Sequence, residues 1–163
     1  MNTASITRIA TRLMATLLLG SAGLAFAADS SPAAPTAPDK LAPARAEIKA
    51  GKWVAAIDEL KKVNDAGSAD WNNLMGYSHR KAKVPDYAAA EMYYNEALRI
   101  DPKHRGALEY SGELYLVLGD LAKAEQRLAA LDKACFLSCD EYKDLKNSVA
   151  RFKANGNKYV AAQ

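Results

Sequence analysis

The segment Asp86-Tyr-Ala-Ala-Ala-Glu-Met-Tyr-Tyr-Asn-Glu-Ala-Leu98 decides the fold. Tyr87, Ala90, Tyr94 and Ala97 fall at i, i+3, i+7 and i+10, one face of an α-helix. Thirty-four residues upstream the same face returns as Trp53, Ala56, Leu60 and Val63, and thirty-four downstream as Leu121, Ala124, Leu128 and Leu131. Each copy opens on a ring or a Leu, places Ala three residues later, and follows it with a large apolar residue. Three copies in phase at this period predict stacked helix–turn–helix hairpins, an all-α solenoid.

Working outward, the helical domain is expected over residues 41–154. The first pair, about 41–66, holds a short helix carrying Arg45 and Lys49, then a helix opened by Trp53 and closed by Gly67. The second pair, about 70–100, takes Asp70 as its N-cap and Pro85 at the start of its second helix. Gly76 lies inside its first helix, where Gly costs about 1 kcal/mol against Ala and so marks a close backbone approach. The third pair, about 104–133, turns at Gly119-Asp120. Ser138 followed by Glu141 reads as a capping box that opens a last helix, about 139–154, with one apolar stripe of Tyr142, Leu145, Val149 and Phe152. One apolar and one polar face suit the open end of such a stack. Residues 155–163 are expected to fray.

The chain of 163 residues has room for one domain and an ordinary composition, 50% hydrophobic and 25% charged. Arg8 and Arg12, the apolar run from Leu13, and Ala25-Phe26-Ala27 predict a cleavable signal peptide over residues 1–27, too short and wrongly flanked for a spanning helix. Its loss would bring the formal charge from +3 to near +1 by removing the two arginines, which takes away the electrostatic case for a nucleic-acid partner. No Asn-x-Ser/Thr sequon occurs, and the periplasm is the expected address, with no stable membrane insertion after cleavage. Residues 28–40, with Pro32, Pro35 and Pro38, read as a disordered Pro/Ala-rich linker.

The repeat resembles the tetratricopeptide repeat, in which small residues let helices approach within and between units and a Pro closes each unit. The matching, repeat-packing positions are Trp53, Ala56, Gly76, Tyr87, Ala90, Tyr94, Ala97, Gly112, Tyr115, Leu121 and Ala124. Leu131 and Phe136 depart from the pattern in the third pair, and Pro43 and Ala44 in the degenerate first pair. The chain is also similar to small exported repeat proteins of Gram-negative bacteria that end in Cys-x-x-x-Cys before a helix. The resemblance implies a right-handed superhelix of about three pairs plus a capping helix, with the first helix of each pair lining a concave groove. Carried over, the groove positions are Arg45, Lys49, Asn73, Tyr77, Arg80, Lys81, Glu109, Glu113 and Leu116. They imply capture of a peptide or helix from a protein partner in the cell envelope. Arg80→Glu is then expected to leave folding intact while lowering partner recovery. Leu41, Arg45, Leu74, Gly106 and Tyr110 stand where a carboxylate clamp needs Lys and Asn, so that mode is not expected.

Cys135 and Cys139 flank the turn before the last helix, where their side chains converge, and an oxidising compartment favours a structural disulfide there. The alternative is a thiol-redox or metal-handling protein built on the same pair, since Cys139 at a helix N-terminus has one ingredient of a reactive thiol. A metal would need further ligands, and His79 and His104 are distant in sequence. They stand in the basic runs of two turns on opposite edges, read as solvated. No nucleophile elbow, zinc-binding helix or phosphate loop is present, so neither catalysis nor a cofactor is expected.

Overall fold

Ser68, Asp86, His104 and Asp120 each start a helix by one device: the side chain accepts a hydrogen bond from the amide three residues on. The acceptor distances are 3.2 Å to Trp71 N, 2.9 Å to Ala89 N, 3.0 Å to Ala107 N and 3.0 Å to Lys123 N. Such a cap contributes about 1 kcal/mol and fixes where the helix begins. The computed structural model describes residues 38–160. Its helices are α1 (Ala42–Lys49), α2 (Trp53–Val63), α3 (Ala69–Lys81), α4 (Tyr87–Ile100), α5 (Arg105–Val117), α6 (Leu121–Ala134) and α7 (Asp140–Ala154). No strand occurs among the described residues. The expected signal peptide and most of the expected linker lie outside them.

Three local expectations are corrected. Asp70 does not cap α3, because Ser68, two residues earlier, does so by accepting from the Trp71 amide; the Asp70 carboxylate pairs with Arg45 and His104 instead. Gly67 does not close α2. Asn64 does, at φ 50°, in the left-handed conformation that Asn tolerates. Ser138 caps nothing: it sits at φ 79° beside Leu137 at φ 64°, in the loop closed by the Cys135–Cys139 disulfide. The helix therefore begins at Asp140, with Cys139 at its N-cap and no side-chain cap bond.

Neighbouring helices pack pairwise along the chain, α1 on α2 through α6 on α7. In addition the backbones of α1 and α3, of α3 and α5 and of α5 and α7 come close, whereas those of α2, α4 and α6 stay apart and α4 meets α6 only through side chains, Arg127 with Asn95 at 2.9 Å and Lys123 with Glu91 at 3.6 Å. The odd helices therefore form the inner layer of an α–α superhelix, and the even helices splay on its outside. Small residues set that spacing. Ala56, Ala90, Ala97 and Ala124 are fully buried, and a Cβ on Gly76 would stand 2.8 Å from the Tyr94 ring and 3.1 Å from the Ala90 carbonyl oxygen. Tyr94 itself is fully enclosed. Gly112 does a different job from Gly76: a Cβ there would meet Leu145 of α7 at 2.5 Å, so this glycine seats the capping helix rather than its own partner α6.

The core divides into three clusters strung along the stack. Leu41, Ala44, Leu60, Trp71, Leu74 and Met75 join the first pair to α3. Ala90, Tyr94 and Leu114 sit in the middle. Leu108, Tyr115, Leu131, Leu145, Val149 and Phe152 bind α7 to the third pair. Burying each large side chain of this kind contributes about 1.5–3 kcal/mol. Polar ties cross the same seams: the Trp71 indole donates to the Leu60 carbonyl at 2.7 Å, and the Tyr115 hydroxyl to Glu91 at 3.0 Å.

Candidate interaction groove

Arg80 lies at the middle of the inner layer, and α3 delivers it to α5. One guanidinium nitrogen donates to Glu113 at 2.8 Å, and its carbon lies 5.5 Å and 5.7 Å from the ring centres of Tyr77 and Tyr110. Those rings meet each other at 4.5 Å. The second Glu113 oxygen accepts from the Ser148 hydroxyl at 3.4 Å, and Arg151 donates to that hydroxyl at 2.9 Å. One polar chain, Arg80–Glu113–Ser148–Arg151, thus runs across α3, α5 and α7. Each crossing between helices spans about one repeat, with sequence separations of 33 and 35.

Glu109 sits one turn before Glu113 on α5. It is 8% exposed and, among the described residues, has no hydrogen-bond or ion-pair partner. Burial, followed by repulsion from Glu113, Asp144 and Glu141, pushes its carboxyl up to about 8, with Arg80 pulling the other way. Desolvation disfavours the charged form of such a group, and nearby carboxylates add to it. The Tyr110 phenol is pushed up to about 12, by burial and then by Glu109.

Two recesses open along this layer. One, about 240 Å³, is lined by Glu109, Glu113, Asp144, Asn147, Ser148 and Arg151. The other, about 220 Å³, lies beside Arg80 and Lys81 and is closed on one side by Tyr159. The segment after α7 turns back through Gly156 at φ 65° and Asn157 at φ 62°, with the Asn157 amide bonded to the Phe152 carbonyl at 2.9 Å. That turn brings Tyr159 over the inner face. Its phenol is raised by burial and by Glu113.

The nine residues carried over as groove positions separate into four groups. Tyr77, Arg80, Glu109 and Glu113 converge, with Lys81 exposed at their rim. Arg45 and Lys49 lie on α1, away from that cluster; Arg45 is bound to Asp39 at 3.4 Å and Asp70 at 3.0 Å. Asn73 is buried in the α3–α5 seam, against the backbone at Gly106. Leu116 is fully buried in the cluster that seats α7, because α5 is covered on several sides and needs a wide apolar surface.

Arg80 is also corrected. At 7% exposure and paired to Glu113 it is an internal tie, not a free contact for a ligand. Reversing its charge would leave Glu113 buried beside a second carboxylate. Sequence reasoning missed Tyr110, Asp144, Ser148, Arg151 and Tyr159. The first four had a signal, since carrying the inner-helix register one repeat further, into α7, nominates Ser148 from Glu113.

The basic turns are not simply solvated. His104 Nε2 lies 2.8 Å from Asp70, tying the starts of α3 and α5, and the His79 ring stacks on Tyr93 at 5.5 Å. Hydrogen bonding from His104 holds the Asp70 carboxyl below its usual range. Cys135 and Cys139 are disulfide-bonded, with Cα atoms 5.7 Å apart. Phe136 and Leu137 project from that loop, 90% and 86% exposed. Among the described residues no helix is long and apolar enough to cross a membrane, and no three His, Cys, Asp or Glu side chains are grouped to hold a metal ion.

Residues 85–148, from the approach to α4 into α7, match the family model described as the tetratricopeptide repeat. No curated protein matches the chain.

Proposed function

We propose that this chain, which carries tetratricopeptide repeats at residues 85–148, is a non-catalytic adaptor of the periplasm that holds a segment of a partner protein against its inner layer. Domains of this family generally bind protein partners and are generally not catalysts, which supports the coarse reading. The observation that carries the finer one is the continuous polar surface over α3, α5 and α7. Its side chains are held in place by one another before any partner arrives, and a surface ordered in advance loses little entropy on binding. The recesses beside Lys81 and Glu109 lie along that surface and give an extended segment two places to insert side chains. The disulfide supports a structural role for Cys135 and Cys139, anchoring the start of α7 to the end of α6, over the thiol-redox alternative.

A photo-crosslinking amino acid at Lys81, on the rim, is expected to trap a specific protein in intact cells. The same group at Asp58, exposed on α2, should not. Equal trapping at both positions, or none at Lys81, sinks the groove reading. Export is checked separately by the mass of the mature chain, which should begin at Ala28.

A further inference from the structure

The recess between α5 and α7 is lined by three acids and one cation, and its most buried acid has no donor among the described residues. Glu109 is 92% buried and lines the cavity, yet among the described residues no donor reaches it. Two cations stand nearby. Arg80 is bound to Glu113 and offsets part of the field on Glu109, and Arg151 is bonded to the Ser148 hydroxyl; neither donates to Glu109. Asp144 stands on the lip, and Glu141 adds to the negative field. Asn147 and Ser148 supply polar atoms on the α7 wall.

We propose that this pocket receives the terminal cation of a Lys or Arg side chain from the bound segment, with Glu109 as its counter-ion and Asp144 as the acid at the entrance. The inference rests on the adaptor reading and names the chemistry of the partner: a basic segment. A volume of about 240 Å³ accommodates an alkyl stem and its head group. An ammonium brings three donors and a guanidinium a planar fork, and either satisfies a buried carboxylate that now has no donor. An acidic side chain is disfavoured by Asp144 on the lining and by Glu141 nearby, and an apolar one would leave Glu109 as it is. The carboxyl that burial holds largely neutral becomes ionised when the cation arrives, so binding releases a proton to solvent. The charges that face it are Glu113 and the Tyr110 phenol on α5, Arg80 on α3, and Glu141, Asp144 and Arg151 on α7.

The test uses the full chain and three labelled probes read by fluorescence anisotropy: acetyl-(Ala-Ala-Lys)4-amide, its Arg counterpart, and the Lys peptide with every side chain acetylated. Saturable binding is expected for the first two, with the acetylated peptide weaker by about tenfold or more, the usual result of removing one partner of a buried charge pair. Glu109→Gln and, separately, Asp144→Asn are expected to weaken the Lys peptide without lowering the melting temperature, while Asp58→Asn, exposed on α2, leaves affinity unchanged. Equal affinity for charged and acetylated peptides, no saturable binding of either charged peptide, or an unaffected Glu109→Gln protein overturns the proposal. Crosslinking at Lys81 keeps the two readings apart. If a partner is trapped there and Glu109→Gln traps it equally well, the cation pocket falls and the adaptor stands. If nothing is trapped while the Lys peptide still binds through Glu109, the pocket stands and the adaptor falls.

Discussion

Glu109 shows how a single side chain carries information that its sequence neighbourhood conceals. On a helical wheel it is one more acid at i, i+4 from Glu113, a pattern common on wet faces. In the fold, α7 covers it and leaves it without a donor. Linkage fixes the sign of the consequence. Its folded pKa of about 8 lies above the ordinary 4.5, so the folded state keeps a proton that the unfolded chain releases. That group therefore costs nothing below about pH 4.5, and its cost grows as the pH rises to about 8, where it levels off. Glu109→Gln has no such proton. Its melting temperature should pull ahead of wild type between about pH 5 and pH 8, and a constant gap across that window would show the carboxyl to be solvated. Arg80 is a parallel case: its type and register were legible, but its burial was not, because the rings of Tyr77 and Tyr110 that enclose it come from two helices 33 residues apart. Removing one member of a buried pair costs about 3–5 kcal/mol. Arg80→Glu is thus expected to lower the urea midpoint sharply, and an unchanged midpoint would return Arg80 to the surface.

At the scale of the element, periodicity was readable and termini were not. The i, i+3, i+7 pattern located α2, α4 and α6 because the Ala positions repeat with period 34 and each meets a neighbouring helix. The N-termini depended on which of several candidate side chains reached the free amides first. Ser68 and Asp70 are both good caps, and only the geometry of the preceding turn chooses Ser68. The glycines illustrate the same division. Gly76 and Gly112 occupy equivalent places, but one faces Tyr94 in its own pair and the other Leu145 in the next element. Gly112→Ala is accordingly expected to destabilise by overpacking, about 1–3 kcal/mol. Adding Leu145→Ala should recover part of that loss, because the two changes share one space. Strict additivity in the double mutant would refute the contact.

For the whole molecule, α7 is both the lid of the core and part of the inner layer. Its apolar stripe was visible as a capping signature, yet its inner position, which brings Asp144, Ser148 and Arg151 to the groove, followed only from its contact with α5. The Cys135–Cys139 bond closes a short loop, for which chain entropy gives only about 2 kcal/mol. Replacing both cysteines with Ser should therefore leave the stack folded while speeding amide exchange selectively in α7. Uniform acceleration across all helices would mean that the end of the stack does not behave as a separate unit.

Close backbone approach between alternate helices on one side only gives the assembly the mechanics of a bound book. The spine runs through α1, α3, α5 and α7, and of the covers α4 and α6 are held together only by side-chain ties, Arg127 to Asn95 and Lys123 to Glu91. Loosening those exposed ties would change the arc along which the spine presents its side chains. A ligand gripping the spine at two points would set that arc, so grip at one end is felt at the other as a change of curvature, without any helix having to unfold.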